Sequence, residues 1–362
     1  MKRSTVCMAA LLACVGAAQA QSVTLYGLLD ASVGVVRNPT ASANQVTVVN
    51  DSAQSSSVWG MRGTEDLGGG LKAGFNLQSD LRTDTGAGNL YMFRREAHVN
   101  LTSAEFGEVR LGRTMSPAIA NAQGGVVIPS NSIGVVTAAA VGVSPDFFTK
   151  NAVTWYSPRV SGVQAIVQYG FGEQAAGSSR ARKVAASLVY QDSNLRVGVA
   201  GQNVKDRNGN TARTWYNANA MYTLDAFKFG VGWYRIERGN NALPSVTETA
   251  ASTPDQVADF DTGMTIRSSH GYNLSVGYQV TPQAIVAATY VYNNQDAALL
   301  NIQGRYSLSK RTTAYLMFGR AFNENNNGTG ADAVRFSPYF QGATGAAGVH
   351  QSVLAAGMIH TF

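Results

Sequence analysis

Few residues in this chain have the types and spacing that catalysis needs. Its four histidines, His98, His270, His350 and His360, lie far apart, and neither HExxH nor GxSxG occurs. His350 with Ser352 is the nearest approach to a nucleophile and base, and nothing around them resembles a triad. Asp255, Asp259 and Asp261 have the chemistry of a calcium loop, but in an otherwise polar stretch they read as a solvated acidic loop. Gly68-Gly69-Gly70 lacks the helix and lysine of a phosphate cradle and reads as a turn. The chain is therefore not expected to be an enzyme, and no cofactor or metal is expected. What remains is fixed charge: Arg62, Lys72, Arg113, Arg196 and Arg305, with Asp30 and Asp146 as opposing acids. Rings of such charges select ions in a water-filled passage.

The elements that would carry those charges are strands. Residues 23–35 alternate, with Val23, Leu25, Leu29, Ala31, Val33 and Val35 on one face and Thr24, Tyr26, Asp30 and Ser32 on the other. Successive strand side chains point to opposite faces, so this strand has one dry and one wet side. Seven hairpins follow. They turn at residues 66–70, 103–107, 157–159, 192–194, 224–226, 281–282 and 309–311, and a last strand covers residues 350–362. One strand, seven hairpins and one strand make sixteen. Short turns at one end, longer polar connections at the other and an even strand number are the signature of a transmembrane β-barrel. By strand parity Arg62, Lys72, Arg196 and Arg305 fall on the polar face, and the last three are placed mid-strand. A closed sandwich core would have to neutralise each of them, whereas a wet lumen would not. Tyr26, Tyr169, Tyr190, Tyr222, Trp233, Tyr278, Tyr290 and Tyr306 recur near strand ends, as aromatic girdles do at the two membrane interfaces.

Composition agrees. Charged residues make up 14% of the chain against about 25% in ordinary soluble proteins, yet no run of 18 apolar residues suits a membrane helix. Lys2 and Arg3, an apolar run over residues 6–18 and Ala18-Gln19-Ala20 read as a cleaved secretory signal peptide over residues 1–20, leaving one barrel domain over 21–362. Residues 11–14, ending in Cys14, offer a lipoprotein box as the alternative. Cys7 and Cys14 both lie in the leader, so no disulfide is expected in the barrel. The 28 Lys and Arg against 22 Asp and Glu give a modest basic excess, and no basic run is long enough for nucleic acid. Residues 114–150 form one long connection with a single acid, Asp146, and a single base, Lys150. Loops beyond about 12–15 residues are often functional. One so poor in charge is expected to fold into the enclosed space and narrow it, with Arg113 anchoring its root by pairing with an acid.

Several stretches carry a resemblance: SVTLYGLLDA, WGMRGTEDLGGGLKAGFNLQ, RREAHVNL with FGEVRLGR, NAVTWYSP, YNLSVGYQV, LSKRTTAYL and a final GMIHTF. Taken in order, the chain resembles the general porins of Gram-negative outer membranes, most closely those of β-proteobacteria. The resemblance implies an all-β, 16-stranded antiparallel transmembrane barrel with a long third loop folded into the lumen. It implies a homotrimer in contact with outer-membrane lipid and lipopolysaccharide, and passive diffusion of small hydrophilic solutes. It also implies that Arg95, at the family's pre-strand arginine, sits at the constriction, and that Phe362 is an assembly signal. Two departures stand out: Val58 or Thr154 replaces a lumenal arginine, and the third loop has one acid instead of several. With bases in excess, the expected channel prefers anions mildly. A substrate-selective channel with a binding site in the eyelet, and a non-conducting surface β-protein such as an adhesin, are the alternatives.

Overall fold

A computed structural model describes residues 23–40, 43–88, 92–129, 147–173, 177, 180–206, 208–239, 268–294, 296–323 and 349–362. The expected leader, Asp146 and the Asp255–Asp259–Asp261 run lie outside the described residues. The first strands are β1 (Thr24–Thr40), β2 (Ala43–Asp51), β3 (Val58–Gly68), β4 (Leu71–Asp80), β5 (Glu96–Ser103) and β6 (Gly107–Met115). A short helix α1 (Pro117–Ala122) and a single 3-10 turn (Gln123–Gly125) follow. Then come β7 (Phe148–Tyr156), β8 (Val163–Gly170), β9 (Lys183–Gln191), β10 (Leu195–Lys205), β11 (Thr211–Leu224) and β12 (Phe227–Arg238). The last are β13 (Ser269–Gln279), β14 (Ala284–Asn293), β15 (Ala297–Ser307), β16 (Thr312–Asn323) and β17 (Gln351–Thr361).

Every sequence neighbour from β3 to β17 pairs antiparallel, β3 pairs with the start of β1, and β1 pairs with β17 from Leu28↔Thr361 to Arg37↔Ser352. Sixteen strands thus close a ring. Closure follows from the solvent: lipid offers no hydrogen bonds, so a spanning sheet can leave no open edge. Outward residues are apolar and exposed, and inward ones are buried or polar. On β12, Phe227, Phe229 and Val231 are 45%, 43% and 50% exposed while Gly230, Gly232, Tyr234 and Ile236 on the opposite face are buried.

The hairpin turns lie where sequence placed them. Gly68, Gly69 and Gly70 have φ of +82°, +61° and +80°, so the turn runs through the left-handed region that only glycine enters freely. In the β9–β10 turn, Asp192 accepts the backbone N–H groups of Leu195 and Asn194 at 2.7 and 2.8 Å and the Tyr190 hydroxyl at 2.8 Å. Those bonds hold its carboxyl below the usual carboxylate pKa.

Four expectations need correction. The first strand continues to Thr40, and an unanticipated strand, β2, returns along it from Thr40↔Ala43 to Ala31↔Asp51. Together β2 and β3 form one descending stave, broken at residues 52–57. Not every connection at the far end is long: β10 and β11 are separated by residues 206–210, and β14 and β15 by residues 294–296. Lys72 and Arg196 are not mid-strand but the second residues of β4 and β10, and Arg305 lies two residues from the end of β15. Tyr26 is no girdle residue either. It points inward, its hydroxyl donating to Asn76 at 2.6 Å and accepting from Gln78 at 3.2 Å.

At the seam Gly27 and Phe362 exchange backbone bonds of 3.1 Å each way. The Phe362 ring covers Gly27, where a Cβ would strike the ring and lie 2.8 Å from the Val58 carbonyl. An aromatic ring laid across a strand glycine in this way compensates for its missing side chain. Gly27→Val is expected to unseat the ring at a cost of about 1–3 kcal/mol. It should therefore lower the temperature at which the folded barrel loses its heat-modifiable gel mobility, whereas Val33→Ile on the same face should not.

Candidate functional site

The described part of the long connection, residues 114–129, lies against inward-facing side chains of β8 to β15. The wall fastens most of its backbone with neutral groups. Gln168 donates to the Met115 carbonyl at 3.1 Å, Asn217 to Ala118 at 3.0 Å and Asn219 to Asn121 at 2.8 Å. The series continues with Tyr234 to Ala122 at 3.3 Å, Asn273 to Gly125 at 2.8 Å and Gln303 to Ile128 at 3.1 Å. The Val127 N–H in turn donates to the Ser275 hydroxyl at 3.1 Å. These bonds meet the backbone of a segment too irregular to satisfy itself.

Space for the segment comes from glycine. A Cβ at Gly198 would strike the Asn121 amide, one at Gly277 the Val127 side chain, and one at Gly230 would lie 2.5 Å from the Gly125 carbonyl. These inward glycines on β10, β12 and β13 form a trench in the wall. Behind it, Ala118, Ile119 and Ala122 pack on Trp215, Tyr234 and Ile236, all at most 2% exposed. One apolar cluster of the molecule thus sits inside the barrel, between segment and wall.

On the opposite side, β3 to β7 carry charge. Arg95 donates to Asp80 and to the Gln78 amide oxygen, each at 2.9 Å, and its guanidinium lies 5.0 Å from the Phe148 ring. Arg113 donates to the Arg94 carbonyl and lies 5.9 Å from the same ring. Both thus gather at the root where the long connection re-enters β7. Arg110 grips Glu108 with two bonds of 2.9 and 3.0 Å and stacks 4.2 Å over Tyr156. Glu96 accepts from Asn76 at 2.5 Å, with His98 at 3.7 Å. Arg62 is exposed, 5.1 Å from the Tyr26 ring, and Lys72 is exposed beside the glycine turn.

The remaining site residues have fastening roles. Arg196 donates to Asn219 at 2.5 Å and Asn121 at 3.0 Å, where a Cβ on Gly124 would collide with it. Arg305 donates to the Gln54 amide oxygen at 3.0 and 2.5 Å and to the Pro129 carbonyl at 3.1 Å. Asp30 is fully buried. Its carboxylate accepts the Gln54 and Ser55 N–H groups at 2.6 and 2.7 Å and the Tyr315 hydroxyl at 2.6 Å. Thr154, at one of the two positions where a lumenal arginine was expected, is buried against Thr114 at 2.8 Å, and Gln168 donates to both. Sequence reading passed over Asp80, Glu96 and Arg110. Parity would have found Arg110, which alternates with the outward Val109 and Leu111.

A closed ring of amphipathic strands around an inward-lying segment is a channel architecture, and the family comparison agrees. Residues 5–327 match the Gram-negative porin family. The chain belongs to that family. This porin is 29% identical over 330 residues to outer membrane porin protein 32 of Delftia acidovorans, a match spanning 84% of this chain and 93% of that one. Its fold is similar to that of the anion-selective porin from Comamonas acidovorans, with a TM-score of 0.71 at 24% identity, covering 94% of this chain and 100% of the other. The fold of Vibrio cholerae OmpT in its trimer form is also similar, with a TM-score of 0.63 at 15% identity over 95% of this chain and 100% of that one. The porin therefore resides in the outer membrane and forms a channel for passive diffusion.

The trench makes a prediction. Gly230→Leu is expected to push the segment off the wall and into the passage. Single-channel conductance should fall and the segment should become sensitive to protease. Gly304→Ala, where an added carbon meets nothing nearer than 3.7 Å, should leave both unchanged.

Proposed function

We propose that this porin is a mildly anion-preferring diffusion channel, narrowed by the long connection after β6, whose residues 114–129 lie on the β8–β15 wall. Solutes pass between that segment and the charged wall of β3–β7. The observation that carries the reading is a difference in how the two signs of charge are engaged. Asp80 and Glu108 are ion-paired, Asp66 is turned onto the Gly68 N–H at 2.9 Å, and Asp30 is buried beneath its hydrogen bonds. Arg62 and Lys72 are exposed and form no ion pair among the described residues. Solutes in the passage therefore meet more available positive than negative charge, which favours anions. The Comamonas neighbour, named as anion-selective, supports the same sign.

The porin is proposed to be a homotrimer. Exposed Tyr and Trp ring the barrel from Trp155 on β7 to Tyr306 on β15. From β16 round to β5 the described residues show no exposed Tyr or Trp, and Leu25, Val33, Val99, Leu316, Leu354 and Met358 face outward instead. Girdle aromatics mark lipid headgroups, so a sector without them suits contact with another copy. The trimer form of Vibrio OmpT supports that number.

Two measurements test these readings. The zero-current potential across a KCl gradient should carry the anion sign. Arg62→Ala should then lower the chloride-to-potassium permeability ratio by no more than about fivefold, the equivalent of the ~1 kcal/mol one unit charge exerts at 4 Å in water. A cation-signed potential in the wild type would overturn the reading. Unheated protein should migrate as a trimer on SDS gels, and Val33→Lys with Leu354→Lys should yield monomers. A monomeric wild type would sink the trimer.

A further inference from the structure

We propose that the narrow zone of this porin has a second insert, residues 52–57, and that Arg305 is a positioning residue clasping the two inserts together. This rests on the channel reading above and adds to it. At the break between β2 and β3 the chain leaves the wall and turns inward. Ala53, Gln54 and Ser57 are at most 1% exposed, lying on the inward faces of β1, β15 and β16. The break is held as firmly as the long segment. Asp30 accepts the Gln54 and Ser55 N–H groups, the Asp30 N–H donates to the Ser57 hydroxyl at 3.0 Å, and the Gln54 side-chain amide lies 3.4 Å from the Met317 sulfur. The Asp30 carbonyl accepts the Ser52 N–H at 2.9 Å.

Arg305 is placed where the inserts meet. Its guanidinium donates twice to the Gln54 amide oxygen, and the nitrogen making the shorter of those bonds also reaches the Pro129 carbonyl. One planar, permanently charged group thus joins residues 52–57 to residues 114–129 across the inner surface of β15. Its geometry is that of a fastener rather than a solute site, because its donors are directed at protein oxygens. Asp30 holds one insert from the far side through backbone N–H groups, and the amide series holds the other. Without Arg305 each insert would remain attached to its own wall, but their position relative to one another, and with it the edge of the passage, would be free to fluctuate.

The test is single-channel recording in planar bilayers on variants first shown to keep heat-modifiable gel mobility. Gln54→Leu removes the acceptor without changing charge or the Gln54 N–H bond to Asp30. It is expected to raise the occupancy of flickering substates roughly tenfold, the equivalent of about 1.4 kcal/mol, through loss of both bonds that Arg305 makes to the amide oxygen. Arg305→Ala should flicker as much, and the double variant should flicker no more than either single one. Gln54→Glu, which turns the clasp into an ion pair, should be quieter than wild type. Quiet channels from Gln54→Leu, or flickering that is additive in the double variant, would overturn the clasp while leaving the channel intact. Absence of conductance in the wild type would overturn the channel reading itself. If Arg305→Ala does not fold, Gln54→Leu and Gln54→Glu still decide, since their expected effects have opposite signs.

Discussion

Everything in this porin depends on one requirement of the bilayer: a backbone that crosses lipid must find all its hydrogen-bond partners within the protein. The ladder that begins at β1 has to return to β1, and it does so where the end of the chain lies against its beginning. That seam fixes the sign of every other residue. Once the register Leu28↔Thr361 is set, a one-residue slip would turn every apolar side chain from lipid to water and every polar one from water to lipid. The alternation along each strand encodes the closed ring as well as the strand itself.

Within the ring, the usual arrangement of a globular protein is divided. Apolar side chains of the wall are buried in separate inward-facing clusters, and Ala118, Ile119 and Ala122 of the long segment complete one of them on Trp215, Tyr234 and Ile236. Fastening is left to side-chain amides, hydroxyls and glycines. Each bond of this kind is worth about 0.5–1.5 kcal/mol net, but leaving one buried partner unmet costs about 1–3 kcal/mol, so the series favours the seated position cooperatively.

Much of this was legible in the residues. Parity along β1 put Leu25 and Val33 on the lipid face and Asp30 and Ser32 inside, as the structure does, and Asp66 with three glycines announced its turn. Strand β2 was missed although Val46 and Val48 alternate with Gln45 and Thr47, because its flanking Asn, Asp and Ser residues carry the composition of a loop. In the described residues it pairs with β1 alone. The lumen seat was hidden for a different reason. Charge was the criterion for choosing lumenal residues, and Asn217, Asn219 and Asn273 are neutral, while Gly198, Gly230 and Gly277 act by lacking a side chain. Arg196 and Arg305 were read as inward-facing, as they are, but parity cannot distinguish a side chain presented to solute from one turned back onto protein. Only distances make that distinction.

The neutral fastening of the long segment has a consequence for how a cell would experience this molecule. None of the amides or hydroxyls that donate to it gains or loses a proton over the range an outer membrane meets, and neutral bonds are barely screened by salt. Dilution, brine and acid therefore leave these bonds, and the seat they give residues 114–129, unchanged.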